Sequence, residues 1–486
     1  MSPPKPDGAR GLPPRLIANC AVGRAYDVPL EGMTDADLRG HCRALTMTPI
    51  DGFGGRSALA RFPAFGLTAT HLSVPRFYGL SHFGPAHDSS ALTFGRPMSD
   101  DVTFVGQLRA DQQRAVSAIQ ERFRGTEEDP FPRGGVVVLP CGFGKTVVAI
   151  HAAVALRRRC LVLVHKRDLM EQWCQRVRAF APAASVGIVC QDRFDAEADI
   201  VVAMLQSVSR RDYALADFGL VVVDECHHLG APVFHSAMTK LACAWVLGLS
   251  ATPDRRDGLT PLLYHTLGTV VHRAERGFDR PMLVTSLVFD DVRSRPPGAV
   301  VLSSRGRPVY AAMLNALARD QARTRVLSEH VVRLHRAGRV VLVLADRITL
   351  LEAMRGHLAS AGMGGDVVGL YVGRATDAER ERCMRCDVVL STMAMAREGM
   401  DQPRLNALVL ATPTADVVQA IGRIQRTLDA PRPPLVIDAT DPFSIWQCMA
   451  RRRRRFFSNA GYTTQRAFVS TGIVLDANEA PCDLFQ

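Results

Sequence analysis

The 486-residue chain carries 59 lysine and arginine residues against 48 aspartate and glutamate residues, which gives a formal net charge of +11. Apolar residues make up 47% of the chain and charged residues 22%, proportions that exclude a largely disordered chain and a collagen. The excess positive charge favours a polyanionic partner, because clustered cations release counterions from phosphate backbones. Only four of the basic residues are lysine: Lys5, Lys145, Lys166 and Lys240.

The cysteine and hydropathy patterns indicate an intracellular, soluble protein. The twelve cysteines have no framework spacing, and the close pair Cys383 and Cys386 lacks the two further ligands of a metal site. We therefore expect reduced, mostly buried cysteines in an intracellular protein. The first residues contain no apolar core of the length a signal peptide needs, and no run approaches the roughly 20 apolar residues that span a bilayer. We expect a soluble protein without a membrane partner.

The chain falls into four segments. Residues 1–104, rich in proline, glycine and alanine, predict a lead-in that begins disordered and continues as a small irregular or β-rich region. Residues 105–280 and 281–440 each predict an α/β domain with a parallel sheet, and residues 441–486 predict a helix and a polar tail. The pattern lapses between the two α/β domains, from Pro281 to Pro308, around the breaker cluster RSRPPG.

The two α/β domains are predicted from short apolar runs. Each run is about four residues long and apolar on both faces, as buried parallel strands require, and the intervening segments can form crossover helices. The fold class is therefore α/β, with two tandem doubly wound domains. The predicted strands are Val136–Leu139, Leu161–Val164, Ile200–Ala203, Leu220–Val223, Val246–Leu249, Val340–Leu344, Val367–Leu370, Val388–Leu390, Ala407–Leu410 and Leu435–Ile437.

The sharpest motif is VVVLPCGFGKTVVAI at 136–150, which reads as a strand, a glycine-containing turn and a helix. Gly142 and Gly144 let backbone N–H groups close around phosphate oxygens, and the following helix points its positive dipole end at the same anion. Lys145 should reach the β and γ phosphates of a nucleotide, and the Thr146 hydroxyl should hold Mg²⁺. The strict phosphate-loop pattern has a glycine where Leu139 stands. The remaining loop residues expected at the nucleotide are Pro140, Cys141 and Phe143.

A companion motif, LVVVDECHHLG, occupies 220–230. Two carboxylates follow its strand, at the end where ligands of parallel sheets gather. Asp224 suits a metal shell, and Glu225 suits orienting and deprotonating an attacking water. The adjacent Cys226, His227 and His228 could suggest a metal cluster, but they are better explained as part of the same motif.

Five consecutive arginines, Arg451–Arg455, fall on the predicted C-terminal helix. Successive side chains step by 100°, so the run should surround the helix rather than form one face. One interpretation is a nuclear-import or nucleic-acid-binding patch. The preferred one is a solvated helix end that the helix dipole favours.

Several motifs together resemble superfamily 2 helicases. DECH at 224–227 resembles their motif II, SAT at 250–252 their motif III, and QAIGRIQR at 419–426 their motif VI. The phrases VDECHHLGAPVFHSAM and LGLSATPDRRDGLT resemble the XPB-like branch, most closely the DEAD/DEAH-type helicases of large DNA viruses and phages. The resemblance extends over about 75–460. It implies two RecA-like domains and a Mg²⁺-dependent ATPase.

The resemblance also implies roles for further residues. LRADQQ at 108–113 resembles the Q-motif region, where Arg109 and Gln112 would face the adenine, although Ala110 and Asp111 depart from the branch's pattern. LVLVHKRDLMEQW at 161–173 resembles motif Ia, and its residues would meet nucleic acid. STMAMAREGMDQP at 391–403 resembles motif V, with one residue at nucleic acid and two at ATP. The implied nucleic-acid contacts are His165, Lys166 and Thr392, and the implied ATP contacts are Gly399 and Asp401.

In motif VI, Arg423 and Arg426 would approach the γ-phosphate and Gln419 would sense it. In motif III, Ser250, Ala251 and Thr252 would couple ATP to nucleic acid. If Lys145 and Glu225 act from the first domain and the arginines from the second, hydrolysis requires closure of the cleft between the domains.

These residues predict an ATP-dependent helicase or translocase. Duplex or forked DNA is the expected partner and 3′ to 5′ the expected polarity, both by resemblance. A role in viral transcription, replication or recombination, with proteins of those processes as partners, would place the enzyme in the host nucleus, a cytoplasmic factory or the virion. The alternatives are a translocase that remodels or anneals DNA or releases transcripts, an RNA helicase, and a non-catalytic binding factor.

Overall fold

The chain divides into two compact units, Met1–Glu275 and Arg276–Gln486. No helix in the part of the chain that the structure describes is both long and apolar enough to cross a bilayer. The structure, a computed structural model, describes residues 17–49, 61–125, 131–140, 142–228, 231–251, 257–274, 281–289, 300–304, 306, 308–397, 400, 402–415, 417–425 and 432–469.

The first unit opens with a small antiparallel sheet. Its elements are β1 (Ala21–Val22), β2 (Tyr26–Pro29), α1 (Asp35–Ala44), β3 (Thr46–Met47), β4 (Phe62–Pro63), β5 (Gly66–Leu67), β6 (His71–Val74) and α2 (Arg76–Phe83). The strands are ordered β1-β2-β6-β5, and β3 pairs with β4. The core of this sheet includes Leu259 and Leu262, so the lead-in packs on the α/β part of the same unit. The predicted β-rich lead-in is confirmed, and its predicted disordered start lies outside the described residues.

The remainder of the first unit is a mainly parallel sheet flanked by helices. Its elements are α3 (Ala110–Arg124), β7 (Arg133–Val138), α4 (Lys145–Leu156), β8 (Cys160–Val164), α5 (Arg167–Phe180), β9 (Val186–Cys190), β10 (Arg193–Phe194), β11 (Ile200–Met204), α6 (Leu205–Arg210), β12 (Leu220–Val223), a 3-10 turn (Cys226–His228), α7 (Ala231–Met238), β13 (Trp245–Ser250), α8 (Thr260–Leu267) and β14 (Val270–Arg273). The described strands are ordered β10-β9-β11-β8-β12-β13-β7-β14, with only β10 antiparallel to its neighbour.

Burial of apolar strands on both faces holds this sheet together. Every residue of β8, β12 and β13 is buried, and one apolar core lies on each face of the sheet. Each core removes apolar area from water, at about 25 cal/mol per Å². Val223 lies opposite Leu163 on one side and Gly248 on the other, so the three strands end at similar levels. The loops that follow them therefore meet at one edge.

The second unit contains another sheet, in which all described strand pairs are parallel. Its elements are β15 (Leu283–Val288), α9 (Tyr310–Arg319), α10 (Gln321–Arg336), β16 (Val341–Ala345), α11 (Ile348–Ser360), β17 (Val368–Tyr371), α12 (Asp377–Cys383), β18 (Val388–Thr392), α13 (Met393–Arg397), β19 (Ala407–Leu410), α14 (Val418–Ile424), β20 (Leu435–Thr440), α15 (Ser444–Asn459) and β21 (Thr463–Phe468). The order is β17-β18-β16-β19-β20-β15-β21. All ten predicted strands are present, and the predicted α/β fold class with two parallel sheets is confirmed.

The expected lapse from Pro281 to Pro308 is wrong for its first part. Strand β15 lies there, between β20 and β21. Thr285 and Ser286 interrupt its apolar run, which hid the strand in the sequence, yet both are buried in the sheet. The Thr285 hydroxyl accepts a hydrogen bond from Gln465 Nε2 at 2.9 Å. The tail expected to be polar and featureless likewise supplies an edge strand, β21.

The solvated helix end expected at Arg451–Arg455 is also wrong in part. The run lies inside α15 rather than at its end, and Arg453 is 1% exposed. Its Nε lies 2.8 Å from Asp438 Oδ1 on β20, and its two Nη atoms donate to the backbone oxygens of Thr414 and Ala439. One arginine of the run is therefore a structural residue of the second unit.

A second buried pair supports the same edge of this sheet. Arg323 donates from Nε and Nη2 to the two carboxylate oxygens of Asp441, at 3.1 and 3.0 Å. Its Nη1 donates to the backbone oxygen of Ala411 at 2.7 Å. Such two-point pairing is what the planar guanidinium allows.

Replacement of Arg453 by methionine should destabilise the second unit, because Asp438 would remain buried without its charge partner. Removal of one partner of a buried ion pair costs about 3–5 kcal/mol. Urea denaturation measures the free energy of unfolding. Arg452→Met, which alters an exposed neighbour on the same helix, is the matched control and should change little. Equal stability of the two variants would contradict a structural role for the Arg453–Asp438 pair.

Candidate active site

The predicted site residues of the first unit follow neighbouring parallel strands. His165 follows β8, Asp224 follows β12, Ser250 ends β13, and the glycine-containing loop follows β7. These strands are adjacent in the order β8-β12-β13-β7. Ligands of open parallel sheets bind at the carboxyl ends of strands. The sheet therefore gathers four separate sequence motifs at one edge.

The backbone of the glycine-containing loop has the curvature that an anion-binding turn needs. Gly142 and Gly144 have φ angles of 78° and 89°, in the left-handed region that favours glycine. A Cβ added to Gly144 would lie 2.5 Å from Gln112 Nε2. Helix α4 begins directly after, at Lys145, and directs its N–H groups toward the loop. Pro140 is among the described residues, whereas Cys141 lies outside them.

Arg109 and Gln112, at the start of α3, contact this loop. Gln112 Nε2 donates to the Phe143 backbone oxygen at 2.9 Å, and Arg109 Nη2 donates to the same oxygen. The Arg109 guanidinium also lies over the Phe143 ring, 5.8 Å from its centroid. Gln112 Oε1 accepts from Arg109 N at 3.0 Å, which closes the first turn of α3. The structure thus brings these two residues to the loop, and an adenine contact stays a prediction.

Lys145 and Glu225 form an ion pair at the strand ends. Lys145 Nζ lies 2.7 Å from Glu225 Oε1, and their side chains are 11% and 19% exposed. Glu225 has a φ of 45°, a conformation that costs a residue with a side chain on the order of 1–3 kcal/mol. Such strain persists where the surroundings fix it, and it is typical of functional sites.

Asp224 is held on both carboxylate oxygens. Oδ1 accepts from the backbone N–H of Glu225 at 2.9 Å, and Oδ2 accepts from Trp173 Nε1 at 2.8 Å. Burial, and then the adjacent Glu225 carboxylate, raise the pKa of Asp224, while Lys145 opposes that rise.

The sequence did not single out Trp173. It lies on α5, is 2% exposed and packs in the core on one face of the sheet. A buried indole N–H generally finds an acceptor, so an aromatic residue on the core face of α5 was the available signal. The structure identifies its acceptor as the Asp224 carboxylate.

His227 connects Glu225 with Ser250. Its Nδ1 lies 2.9 Å from Ser250 Oγ and 3.5 Å from Glu225 Oε2. Through these contacts, His227 joins the Glu225 carboxylate to motif III, and the explanation of His227 and His228 as part of one motif stays a prediction. Burial raises the pKa of the neighbouring Cys226 thiol, which keeps it protonated. Ala251 follows Ser250, and Thr252 lies outside the described residues.

Of the two residues predicted to meet nucleic acid in this unit, His165 lies near the carboxylates. Burial and then Lys166 lower the pKa of His165, whereas Asp224 and Glu225 oppose this shift. The His165 backbone oxygen accepts from Gln206 Nε2 at 3.0 Å. Lys166 is the N-cap residue of α5, and burial lowers its pKa.

Three predicted residues of the second unit are among the described residues: Thr392 at the end of β18, and Gln419 and Arg423 on α14. Thr392 ends β18, and its hydroxyl accepts from Met395 N at 3.4 Å. Gln419 and Arg423 are buried on α14, and Arg423 Nη1 donates to the Met400 backbone oxygen. The other predicted residues, Gly399, Asp401 and Arg426, lie outside the described residues.

The residues present fit a nucleotide with Mg²⁺. The two left-handed glycines and the start of α4 provide backbone N–H groups for phosphate oxygens, with Lys145 as the charged donor. The Thr146 hydroxyl and the Asp224 carboxylate are oxygen donors, which Mg²⁺ prefers. Glu225 directly follows Asp224, and its carboxylate contacts Lys145.

Comparison with known proteins agrees with these motifs. Residues 106–255 match the family described as the type III restriction enzyme res subunit. This segment contains the glycine-containing loop, motif II and motif III.

Three relatives are similar over most of the chain. A provisionally named ATP-dependent RNA helicase, L396 of Acanthamoeba polyphaga mimivirus, is 27% identical, with 85% of this chain and 79% of the relative covered. A provisionally named helicase, D10 of Escherichia phage T5, is 25% identical over 72% of this chain and 78% of its own. The general transcription and DNA repair factor IIH helicase/translocase subunit XPB of Antonospora locustae is 25% identical over 68% of this chain and 51% of its own. The resemblance inferred from the motifs is confirmed.

Two solved structures share the fold. The structure of Saccharomyces cerevisiae Dbp5 bound to RNA and ADP BeF3 matches 74% of this chain and 89% of its own, with a TM-score of 0.51 and 15% identity. A fragment of a provisionally assigned HsdR subunit of a type I restriction enzyme from Vibrio vulnificus YJ016 matches 76% and 72%, with a TM-score of 0.52 and 17% identity. The predicted RecA-like character of the two parallel-sheet folds is confirmed.

Replacement of Trp173 by phenylalanine should weaken Mg²⁺-dependent nucleotide binding, because Asp224 would lose the hydrogen bond at Oδ2. Loss of such a supporting partner typically costs about 10- to 100-fold in metal affinity. Titration of Mg²⁺ against a fluorescent ATP analogue measures the half-saturating concentration without requiring turnover.

Trp245→Phe is the matched control for this prediction. Trp245 is also buried in the first unit, and its Nε1 donates to the Phe123 backbone oxygen at 3.0 Å. The control should lose stability without a changed Mg²⁺ requirement. An equal shift in both variants would attribute the effect to packing and contradict the assigned role of Trp173.

Proposed function

We propose that this chain, an ATP-dependent helicase of superfamily 2, couples ATP hydrolysis to movement along DNA. Duplex or forked DNA is the proposed partner and 3′ to 5′ the proposed polarity, as the resemblance to the XPB-like branch implies. One observation carries the ATPase proposal: the Lys145–Glu225 ion pair, 2.7 Å long, beside the buried Asp224 at the carboxyl ends of parallel strands.

Each residue of this cluster has a proposed task. The backbone of Gly142 and Gly144 binds phosphate oxygens, and Lys145 leaves Glu225 to bind the β and γ phosphates. Thr146 and Asp224 would hold Mg²⁺, which would neutralise charge on the phosphates. Glu225, released from Lys145, then orients the attacking water and accepts its proton. Arg109 and Gln112 are proposed to contact the adenine.

The second unit supplies the positive charge that the transition state needs. We propose that Arg423 and Arg426 stabilise the charge that develops on the γ-phosphate, as an arginine finger does. Gln419 senses this phosphate, and Gly399 and Asp401 line the nucleotide. Hydrolysis then depends on both units, and each cycle changes the spacing of their nucleic-acid contacts. The proposed contacts are His165 and Lys166 in the first unit and Thr392 in the second.

Coupling between ATP and nucleic acid is proposed for Ser250, Ala251 and Thr252. The hydrogen bond between Ser250 and His227, and the position of His227 beside Glu225, support this role. A change in the charge or position of Glu225 would alter its contact with His227, and a movement of His227 would in turn alter the hydrogen bond to Ser250.

An RNA helicase is the second candidate. The name of the mimivirus relative favours it, since that protein is provisionally called an RNA helicase. A translocase without processive unwinding is compatible with the name of the XPB relative, a helicase/translocase subunit. Strand-displacement and annealing assays on one forked substrate separate unwinding from remodelling.

The ATPase rate should rise when nucleic acid is added, and Glu225→Gln should abolish this rise. The substitution removes the base while preserving shape, and loss of a general base typically costs about 10²- to 10⁴-fold. Rates with single-stranded DNA, duplex DNA and RNA are compared side by side, with exposed Glu197→Gln as the control. Wild-type stimulation no greater than that of Glu225→Gln would refute the enzyme proposal. Stimulation by RNA alone would favour the second candidate.

Replacement of Arg426 by alanine should preserve ATP binding and remove hydrolysis. An arginine that acts only on the transition state contributes about 10³-fold or more to the rate. Equilibrium binding of a fluorescent ATP analogue is measured beside the ATPase rate, with exposed Arg404→Ala as the control. Loss of nucleotide binding by a folded Arg426→Ala protein would contradict the assigned role.

A further inference from the structure

The buried Arg453 fixes the rotation of α15 about its axis. Its guanidinium is tied to Asp438 and to the Thr414 and Ala439 carbonyls, so this side of the helix must face the sheet. At 100° per residue, the other four arginines of the run fall within an arc of about 160° on the opposite side. The run that should have surrounded the helix therefore has one buried member and one four-arginine face.

This face is exposed and strongly positive. Arg451, Arg452 and Arg455 are exposed, and Arg454 is half-buried. Arg466, exposed on the edge strand β21, lies close enough to Arg454 to interact with it electrostatically. We define these five residues as the arginine face. In the described part of the second unit, none of the five forms an ion pair.

Mutual repulsion within the arginine face is evident at Arg454. Burial, followed by the positive charges of Arg466 and Arg451, lowers its pKa. The Arg453–Asp438 pair holds the helix in an orientation that maintains this repulsion. An anion bound across the face would relieve it.

We propose that the arginine face is a binding surface for the phosphate backbone of duplex DNA, separate from the residues assigned to the ATP cycle. Arginine suits this task because its planar guanidinium binds a phosphate through two N–H groups. The surface offers charge without a described base-reading arrangement, so the binding should not depend on base sequence.

Charge density selects duplex DNA over a single strand. Residues 451–455 rise only about 6 Å along the helix axis, which concentrates the guanidinium groups. Duplex DNA carries one charge per about 1.7 Å of axis, whereas a single strand carries one per about 3.4 Å. The duplex therefore places more phosphates within reach of this compact surface. This inference rests on the proposed function in one respect, because the proposed function names DNA as the partner.

The test compares two triple variants that each remove three positive charges from the full chain. Arg451→Gln, Arg455→Gln and Arg466→Gln alter the arginine face. Arg319→Gln, Arg325→Gln and Arg336→Gln alter exposed positions on α9 and α10, which are different helices, and serve as the control. Fluorescence anisotropy gives the affinity for blunt duplex DNA without nucleotide, over roughly 50–200 mM salt.

The expected result is a change in salt dependence. For each phosphate that the variant no longer neutralises, the slope of log affinity against log salt should fall in magnitude by about 0.9. The slope of the arginine-face variant should therefore be shallower than that of the wild type by about 2 to 3. The control should keep the wild-type slope, and both variants should keep the ATPase rate measured without nucleic acid, which verifies folding.

Several results would overturn the proposal. Equal slope changes in the two variants would show an effect of net charge alone. A change seen with single-stranded DNA or duplex RNA but not with duplex DNA would assign the surface to another partner. Failure of the proposed function would show itself differently, as a wild-type ATPase that no nucleic acid stimulates.

Discussion

The ion pair between Lys145 and Glu225 connects two loops whose strands are not neighbours. Strand β13 lies between β7 and β12, so the pair crosses over the end of β13, where Ser250 is located. The Glu225 backbone adopts a φ of 45°, and its N–H donates to Asp224. The charged pair and the strained backbone thus place two carboxylates with different surroundings side by side. One is fixed by hydrogen bonds. In the proposed ATP cycle, the other exchanges Lys145 for a water when the lysine binds phosphate.

The same site depends on helices that pack against the sheet. Trp173 reaches Asp224 from α5, and Gln112 reaches the Phe143 carbonyl from α3. Both side chains are buried, so the apolar packing that folds the unit also sets the geometry of the polar atoms. A carboxylate buried as deeply as Asp224 requires such partners, because an unsatisfied buried charge is very costly. The core and the site of the first unit therefore depend on the same packing.

The sequence predicts the parallel strands well because burial on both faces leaves uninterrupted apolar runs, as in Leu220–Val223. It conceals β15, where Thr285 and Ser286 interrupt the run, and β21, an exposed edge strand with a polar sequence. The loop glycines, Lys145, Asp224 and Glu225 are predictable because local chemistry constrains them. The contacts of Trp173 with Asp224 and of His227 with Ser250 are not, since they join residues that are distant in sequence and depend on side-chain orientations that only the folded chain defines.

The basic residues have different roles at different positions of the fold. Lys145 is one of only four lysines, and a compact ammonium fits between phosphate oxygens where a planar guanidinium would not. In the second unit, Arg323 and Arg453 use that planar shape to satisfy a buried carboxylate and backbone carbonyls at once. Because Arg453 is anchored inward, its sequence neighbours on α15 must point outward. A run that is uniform in sequence is therefore divided by a single buried ion pair into a structural residue and a charged surface.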